Sequence, residues 1–284
     1  MRRSVMQRYC FYGIAILFPA LVYAQTPAVA DGGVLNGASF AKDANGRGMP
    51  VAVGSLVSIF GANLATSLAS ADTVPFSTSL GGVSVTFGDV PAPLRNVIPG
   101  DPAQLNAQLP FGALGPGQQS GTVSVVVTVN GVSSAPKPVP VVLMAPGVFS
   151  IPPGIGNAVL VTSDGKIAAP TSASASIGYP TRPIKPGEGC FFYATGLGPV
   201  TPPVKDGHDS LDALRTANSQ PIVMVGGMTA HVDFAGLSPQ FPGVYQINIT
   251  IPNNAPIGDA IPLQIQTPDG SVTSTDKVTI AISQ

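Results

Sequence analysis

Tryptophan is missing from this chain, and histidine, cysteine and glutamate nearly so: two histidines, two cysteines and one glutamate, Glu188, in 284 residues. Each scarcity removes a class of chemistry. With no His-x-x-x-His and no Cys-x-x-Cys, zinc has no recognisable ligand set. One glutamate leaves the paired-carboxylate chemistry of glycosidases to aspartate alone, and no aspartate spacing nominates a pair. No Gly-x-Ser-x-Gly elbow offers a strained nucleophile. Only 10% of residues are charged, and Lys and Arg are not clustered. The surface needed to neutralise phosphates is therefore absent, which excludes nucleic acid as a partner. Beyond residue 24 no apolar run approaches the roughly 18 residues of a membrane span.

The first 24 residues are expected to be a secretory signal peptide. Arg2, Arg3 and Arg8 form a basic n-region, Cys10 to Leu21 an apolar stretch, and Val22-Tyr23-Ala24 a small-residue cleavage site before Gln25. A retained anchor helix is the alternative. Cleavage removes three arginines and no acid, leaving 10 cations against 14 carboxylates, a net charge of −4. It also leaves Cys190 as the sole cysteine, so no intrachain disulfide can form in an oxidising compartment. In the run Cys190-Phe191-Phe192-Tyr193, Cys190 reads as a small buried hydrophobe, with no basic neighbour to activate it.

What the chain has in plenty is glycine (33), proline (30) and short alternating apolar runs. High hydrophobicity opposes disorder, and Gly and Pro fall between the runs, as in strands joined by turns. The runs also repeat. Gly54-Ser55-Leu56-Val57-Ser58-Ile59-Phe60-Gly61-Ala62-Asn63-Leu64 is echoed by Gly187 to Leu197, and Gln104-Leu105-Asn106-Ala107-Gln108-Leu109-Pro110 by Gln246-Ile247-Asn248-Ile249-Thr250-Ile251-Pro252. The order is kept, so one strand-built unit is duplicated. Strands are expected at 56–60, 83–87, 94–98, 104–109, 122–129 and 139–143, then at 158–162, 190–194, 222–225, 230–234, 245–251, 261–267 and 277–282. Asn130-Gly131 and Asp269-Gly270 supply turns at matching places. Residues 209–217 come nearest to a helix, and 168–186 read as a long surface loop.

Six or seven short strands per unit predict an all-β chain of two tandem antiparallel β-sandwiches. The expected division is a leader at 1–24, an N-terminal segment at 25–33, a first sandwich at 34–145, a Pro-rich semi-rigid junction at 146–153 and a second sandwich at 154–284. Asn63 and Gly196 suit left-handed positions at strand ends, and Leu64 and Leu197 then re-enter the core.

The sequence from Phe60-Gly61-Ala62-Asn63-Leu64 through Val85-Thr86-Phe87-Gly88 to Leu105–Pro110, and on to a Val-rich strand ending at Asn130-Gly131, resembles an IPT/TIG, early-set immunoglobulin-like domain. More narrowly, Pro50 to Leu64, Leu80 to Val85, Ala145 to Phe149, Tyr193 to Val204, and Phe234 to Leu237 with Pro242 to Asn248 are similar to a C-terminal module of unknown function in secreted acidobacterial proteins. That resemblance spans about Val34 to Ile282. It implies an immunoglobulin-like fold and an extracellular setting, and brings no catalytic residues with it. The module usually closes a longer chain carrying other repeats, and Cys190 stands where an ordinary apolar residue is usual.

No catalytic, cofactor or metal residue is nominated. The one dense polar cluster, Asp206-Gly207-His208-Asp209-Ser210-Leu211-Asp212, does not match the calcium-loop pattern and reads as a solvated loop. His231 and Asp233 read as exposed neighbours on one strand face. A carbohydrate platform would need aromatic rings. The tyrosines after residue 24 are Tyr179, Tyr193 and Tyr245, and the last two are expected to point inward. The leading expectation is a secreted, non-enzymatic adhesion, binding or structural module, on the cell surface or released, for a protein or polysaccharide ligand, with no cofactor. The alternatives are a polymer hydrolase using Asp206, His208, His231 and Asp233, and a surface protein that self-assembles through strand edges.

Overall fold

The computed structural model describes residues 25–274 and 277–284; the expected leader lies outside the described residues. The principal strands of the first unit are β1 (Ala28–Asn36), β2 (Val51–Ala52), β3 (Leu56–Ala62), β4 (Val83–Phe87), β5 (Leu94–Ile98), β6 (Ala103–Gln108), β7 (Ser120–Val129) and β8 (Lys137–Val142), with two-residue strands such as Ala69–Ser70 and Val90–Pro91 beside them. One sheet runs β1-β3-β6-β5 and the other β2-β8-β7-β4. This is the A-B-E-D and A′-G-F-C order of an immunoglobulin sandwich. All these pairings are antiparallel except β2 with β8, which run parallel through Val51 and Val141. Inward positions such as Val57, Ile59, Val85, Phe87, Leu105 and Val125 fill the space between the sheets.

The second unit repeats the main strands of the first, β9 (Gly147–Val148), β10 (Gly156–Ala158), β11 (Gly189–Thr195), β12 (Ile222–Val225), β13 (Met228–Leu237), β14 (Tyr245–Thr250), β15 (Gly258–Gln266) and β16 (Val278–Ile282), and adds Leu160–Thr162, which pairs with β11 through Val161 and Phe191. β9 pairs β11, which continues to β14 and β13; β10-β16-β15-β12 form the facing sheet, with β10 parallel to β16. The chain is thus all-β, two tandem immunoglobulin-like sandwiches. Phe192, Tyr245, Ile247, Leu263 and Ile280 are fully buried between the second pair of sheets. The Tyr245 hydroxyl donates to the Gly198 carbonyl inside that core. Burying each such side chain is worth about 1.5–3 kcal/mol.

The expected left-handed positions are present. Asn63 has φ 57° and Gly196 φ 87°, and Leu64 and Leu197 behind them are buried. Several expectations need correcting. Pairing begins at Ala28, so residues 28–33, expected outside the first sandwich, form the start of its edge strand. Ala28-Val29-Ala30-Asp31-Gly32-Gly33 hides this because Gly32 and Gly33 sit in a bulge that breaks the alternation. Residues 146–153, expected as a junction, already pair within the second unit: Val148 opposes Ala194 and Ser150 opposes Ala158. The turn expected to be helical, 209–217, is irregular up to Thr216. Its polar side chains bond across the loop instead, and the α-helical turn, Ser174–Ile177, falls inside the expected surface loop.

The two sandwiches are joined by buried polar bonds. Asn36 donates to the Ala145 carbonyl (3.0 Å), and its own carbonyl caps the amides of Ala38 and Ser39. The Thr195 hydroxyl accepts from the Leu56 amide of the first unit (2.9 Å) and donates to the Gly243 carbonyl of the second (2.7 Å). On the same seam Gln108 accepts from the Gly207 amide, and the Gly207 carbonyl accepts from the Phe76 amide. Asn36, Gln108 and Thr195 are at most 5% exposed. Breaking any of these bonds strands a buried partner, at about 1–3 kcal/mol each.

Candidate functional site

The Asp206–Asp212 loop is built into the joint. Asp206 accepts from the Phe111 amide of the first unit at 2.9 Å, and burial holds its carboxyl above the usual carboxylate range. Asp212 pairs with both Arg215 guanidinium nitrogens (2.6 and 3.0 Å), and Ser210 donates to the Ala213 carbonyl. His208 is exposed, and Asp209 half-buried. The carboxylates are thereby turned to different partners. Among the described residues no group of three or more His, Cys, Asp or Glu is arranged to hold a metal ion.

His231 Nε2 lies 3.5 Å from Asp233 Oδ1, with both side chains exposed, and Asp233 accepts from the Thr250 hydroxyl at 3.3 Å. Arg215, which closes the 206–215 loop, bonds through its carbonyl to the Leu237 amide at the other end of β13. Six residues of strand, about 20 Å at 3.3 Å each, separate His231 from that end. The fold therefore does not bring Asp206 and His208 to His231 and Asp233. Cys190 is free and buried; its Sγ faces the Ile249 carbonyl at 3.7 Å, and burial pushes its thiol up to about 12.

Tyr245 points inward as expected, but Tyr193 does not. Along β11, Cys190, Phe192 and Ala194 are buried while Phe191 and Tyr193 stand half-exposed on the outer face. Alternation dictates this once Phe192 is fixed in the core. The apolar run Cys190-Phe191-Phe192-Tyr193 conceals the phase because both of its faces are apolar.

The outer face of β11, β14 and β13 is therefore lined with rings and amides. Cross-strand register sets Phe191 opposite Asn248 and Tyr193 opposite Gln246, and Asn248 opposite Phe234 on the far side. None of Phe191, Tyr193 and Phe234 belongs to the core of the unit. The Phe191 and Tyr193 rings meet edge to face at 5.6 Å, and Tyr193 meets Phe241 in the same way at 6.0 Å. Phe241 is 47% exposed, on the loop between β13 and β14. The Gln246 amide donates to Asn248 Oδ1 at 2.9 Å. Among the described residues this leaves the Gln246 carbonyl and the Asn248 amide nitrogen without a protein partner.

The strip ends in a hollow on each side. Phe191 and Asn248 wall a groove of about 360 Å³ with Ser163 and Asp233. Phe241 reaches into a cleft of about 290 Å³ between the two sandwiches, where it faces Leu56, Val74, Phe76 and Arg95. The Arg95 guanidinium lies 5.6 Å from the centre of the Phe76 ring, a cation–π contact of about 0.5–1 kcal/mol at an exposed site. None of the aromatic residues of the strip was nominated from sequence except Tyr193, and that one was assigned to the wrong face. The usable signal was the duplication: Phe191 and Tyr193 align with Ser58 and Phe60, outward positions of the first unit.

No family model matches the chain, and no curated protein matches it. Among solved structures, the I9-I11 tandem from titin covers 91% of the chain and 67% of its own length at 10% identity, with a TM-score of 0.20. An endo-fucoidan hydrolase of glycoside hydrolase family 107 covers 83% of the chain at 11% identity and a TM-score of 0.16, and the match spans 27% of that enzyme. With likenesses this low, the fold assignment rests on the strand order of the two units.

Proposed function

We propose that this protein is a secreted, non-enzymatic binding module that holds an extracellular ligand across the outer face of its second sandwich. The observation that carries this reading is the strip Phe191–Tyr193–Phe241, in which the half-buried Tyr193 ring touches the other two and Phe241 is exposed, on a frame whose two halves are joined by buried hydrogen bonds. Rings left partly exposed together on one face suit a surface that another molecule covers. The dispersal of Asp206, His208, His231 and Asp233 speaks against the hydrolase alternative. The basic and apolar leader, and the resemblance to a module of secreted proteins, support an extracellular setting.

Purified protein incubated with washed whole cells, insoluble polysaccharides and immobilised extracellular proteins is expected to be retained, saturably, on one of them. EDTA is expected to leave retention unchanged. Loss of retention on chelation would restore a metal to the Asp206–Asp212 loop, and turnover of a polymer by the protein would replace binding with catalysis.

A further inference from the structure

We infer that the face formed by β11, β14 and β13 takes a neutral polysaccharide chain, laid across Phe191, Tyr193 and Phe234 with Asn248 and Gln246 between them. This rests on the binding reading above and names its ligand class.

The first argument is the geometry of the rings. A pyranose offers a patch of C–H groups on one face and hydroxyls around its rim. It is complementary to a surface that alternates flat aromatic area with amide donors and acceptors. Asn248 lies between Phe191 on one neighbouring strand and Phe234 on the other. Two strand spacings place those two rings about 10 Å apart, close to the length of a disaccharide. The free amide nitrogen of Asn248 and the free carbonyl of Gln246 stand where rim hydroxyls would pass, one offering a donor and the other an acceptor.

The second argument is charge. His231 and Asp233 lie 3.5 Å apart at one end of the face and face each other, and no Lys or Arg occurs on β11, β13 or β14. An anionic polymer would find no cation along the strip, and a cationic one only the single carboxylate of Asp233. The unpaired cation nearby, Arg95, belongs to the cleft beyond Phe241.

The third argument comes from the other half of the molecule. The same Gln–Asn pair occurs on β6, with Gln104 opposite Phe60 and Asn106 opposite Ser58 and Asn96. There Asn106 Oδ1 accepts from Ser58 at 3.0 Å and from Gln104 at 2.8 Å, and Asn96 donates to Ser70 at 2.8 Å, so the same Gln-to-Asn bond as in the second unit is flanked by small polar side chains instead of rings. The fold is thus satisfied with small polar residues at these positions. Phe191 and Phe234 stand in the second unit where Ser58 and Asn96 stand in the first.

The test is retention of the full protein on insoluble cellulose and its mobility shift in gels containing xylan, glucomannan, mixed-linkage glucan or alginate. Washed cells and immobilised fibronectin-type extracellular protein serve as parallel surfaces. One neutral polysaccharide is expected to retain the protein. The double substitution Phe191→Ala/Tyr193→Ala should weaken retention at least tenfold and Asn248→Ala severalfold. The first-unit control Asn106→Ala should leave it unchanged. A melting temperature for each variant separates lost binding from lost folding. Retention by alginate alone, or retention on cells or protein that the double variant abolishes but soluble neutral polysaccharide fails to compete, would overturn the ligand class and leave the binding reading standing. Retention on no surface would overturn both.

Discussion

The two sandwiches share strand order, register and even the position of a bulge, yet differ in what they do with them. In the first unit the extra residue between Leu94 and Asn96 is Arg95; in the second, between Val232 and Phe234, it is Asp233. Each lines a surface hollow, one with a cation and the other with a carboxylate. The connection between sheets also differs. β13 pairs β12 at Ala230 and β14 from His231 onward, so one strand passes from sheet to sheet. In the first unit Pro91 and Pro93 interrupt that passage: Val90–Pro91 stays with β4 and β5 starts afresh at Leu94. Proline has no amide to give a ladder, so the strand divides where the prolines fall. Duplication has preserved the hydrogen-bonded frame, and divergence has acted on outward and bulged positions, where packing is indifferent.

The sharpest way to break the comparison is at the paired left-handed residues. At Gly196 a Cβ would meet the Ala145 carbonyl at 2.1 Å, while φ is 87°. Gly196→Ala combines backbone strain with a clash against main chain and is expected to cost more than about 3 kcal/mol, seen as a large fall in the urea midpoint. Asn63→Gly, at the matching site, should change stability by no more than about 1 kcal/mol. Equal effects would mean the two turns are not equivalent.

Thr195 sharpens the comparison next, because its counterpart is Ala62. Thr195→Val keeps the shape and removes the hydroxyl that links Leu56 to Gly243, at about 1–3 kcal/mol. Since the bond to Leu56 crosses the joint, calorimetry is expected to resolve two unfolding transitions against a single one expected for the parent. A single transition at lower temperature would show that other bonds suffice to couple the units.

A third effect belongs to the second unit alone. Arg182, bonded to Glu188, holds that carboxyl well below its ordinary 4.5, at about 2, against the opposing cost of burial. A carboxyl depressed in the folded state stabilises the fold above its unfolded pKa, and that stability is lost as pH falls from about 4.5 toward 2. Denaturant titrations across that window should show a decline that Glu188→Gln flattens. An unchanged decline would assign acid sensitivity elsewhere.

The smallest effect is expected at Asp206. Its carboxyl is raised by burial, so its ionised form costs stability at neutral pH. Asp206→Asn retains an acceptor for the Phe111 amide without the charge and should be neutral or stabilise by up to about 1 kcal/mol at pH 7. Asp206→Ala strands that amide and should destabilise. The reverse ranking would show that the charge itself matters to the joint.

Much of the frame was legible in the sequence because alternation speaks wherever one face is wet. Val83–Phe87, Leu94–Ile98 and Ile222–Val225 fall where their patterns place them. β1 was hidden by its glycine bulge, and the 209–217 turn mimicked a helix until Asp212–Arg215 and Ser210–Ala213 bonds claimed its polar groups. The candidate site was least legible. Its rings come from two strands and a loop, and period alone cannot tell which face of Cys190-Phe191-Phe192-Tyr193 is buried.

Cys190, finally, makes the second unit report on itself. Apart from Cys10 in the expected leader it is the sole thiol, 8% exposed beside Ile249. Its burial makes modification by a thiol-specific reagent depend on local opening around β11. The labelling rate in native buffer is then a clock for transient opening of one half of the molecule, in a chain whose other half carries no thiol to react.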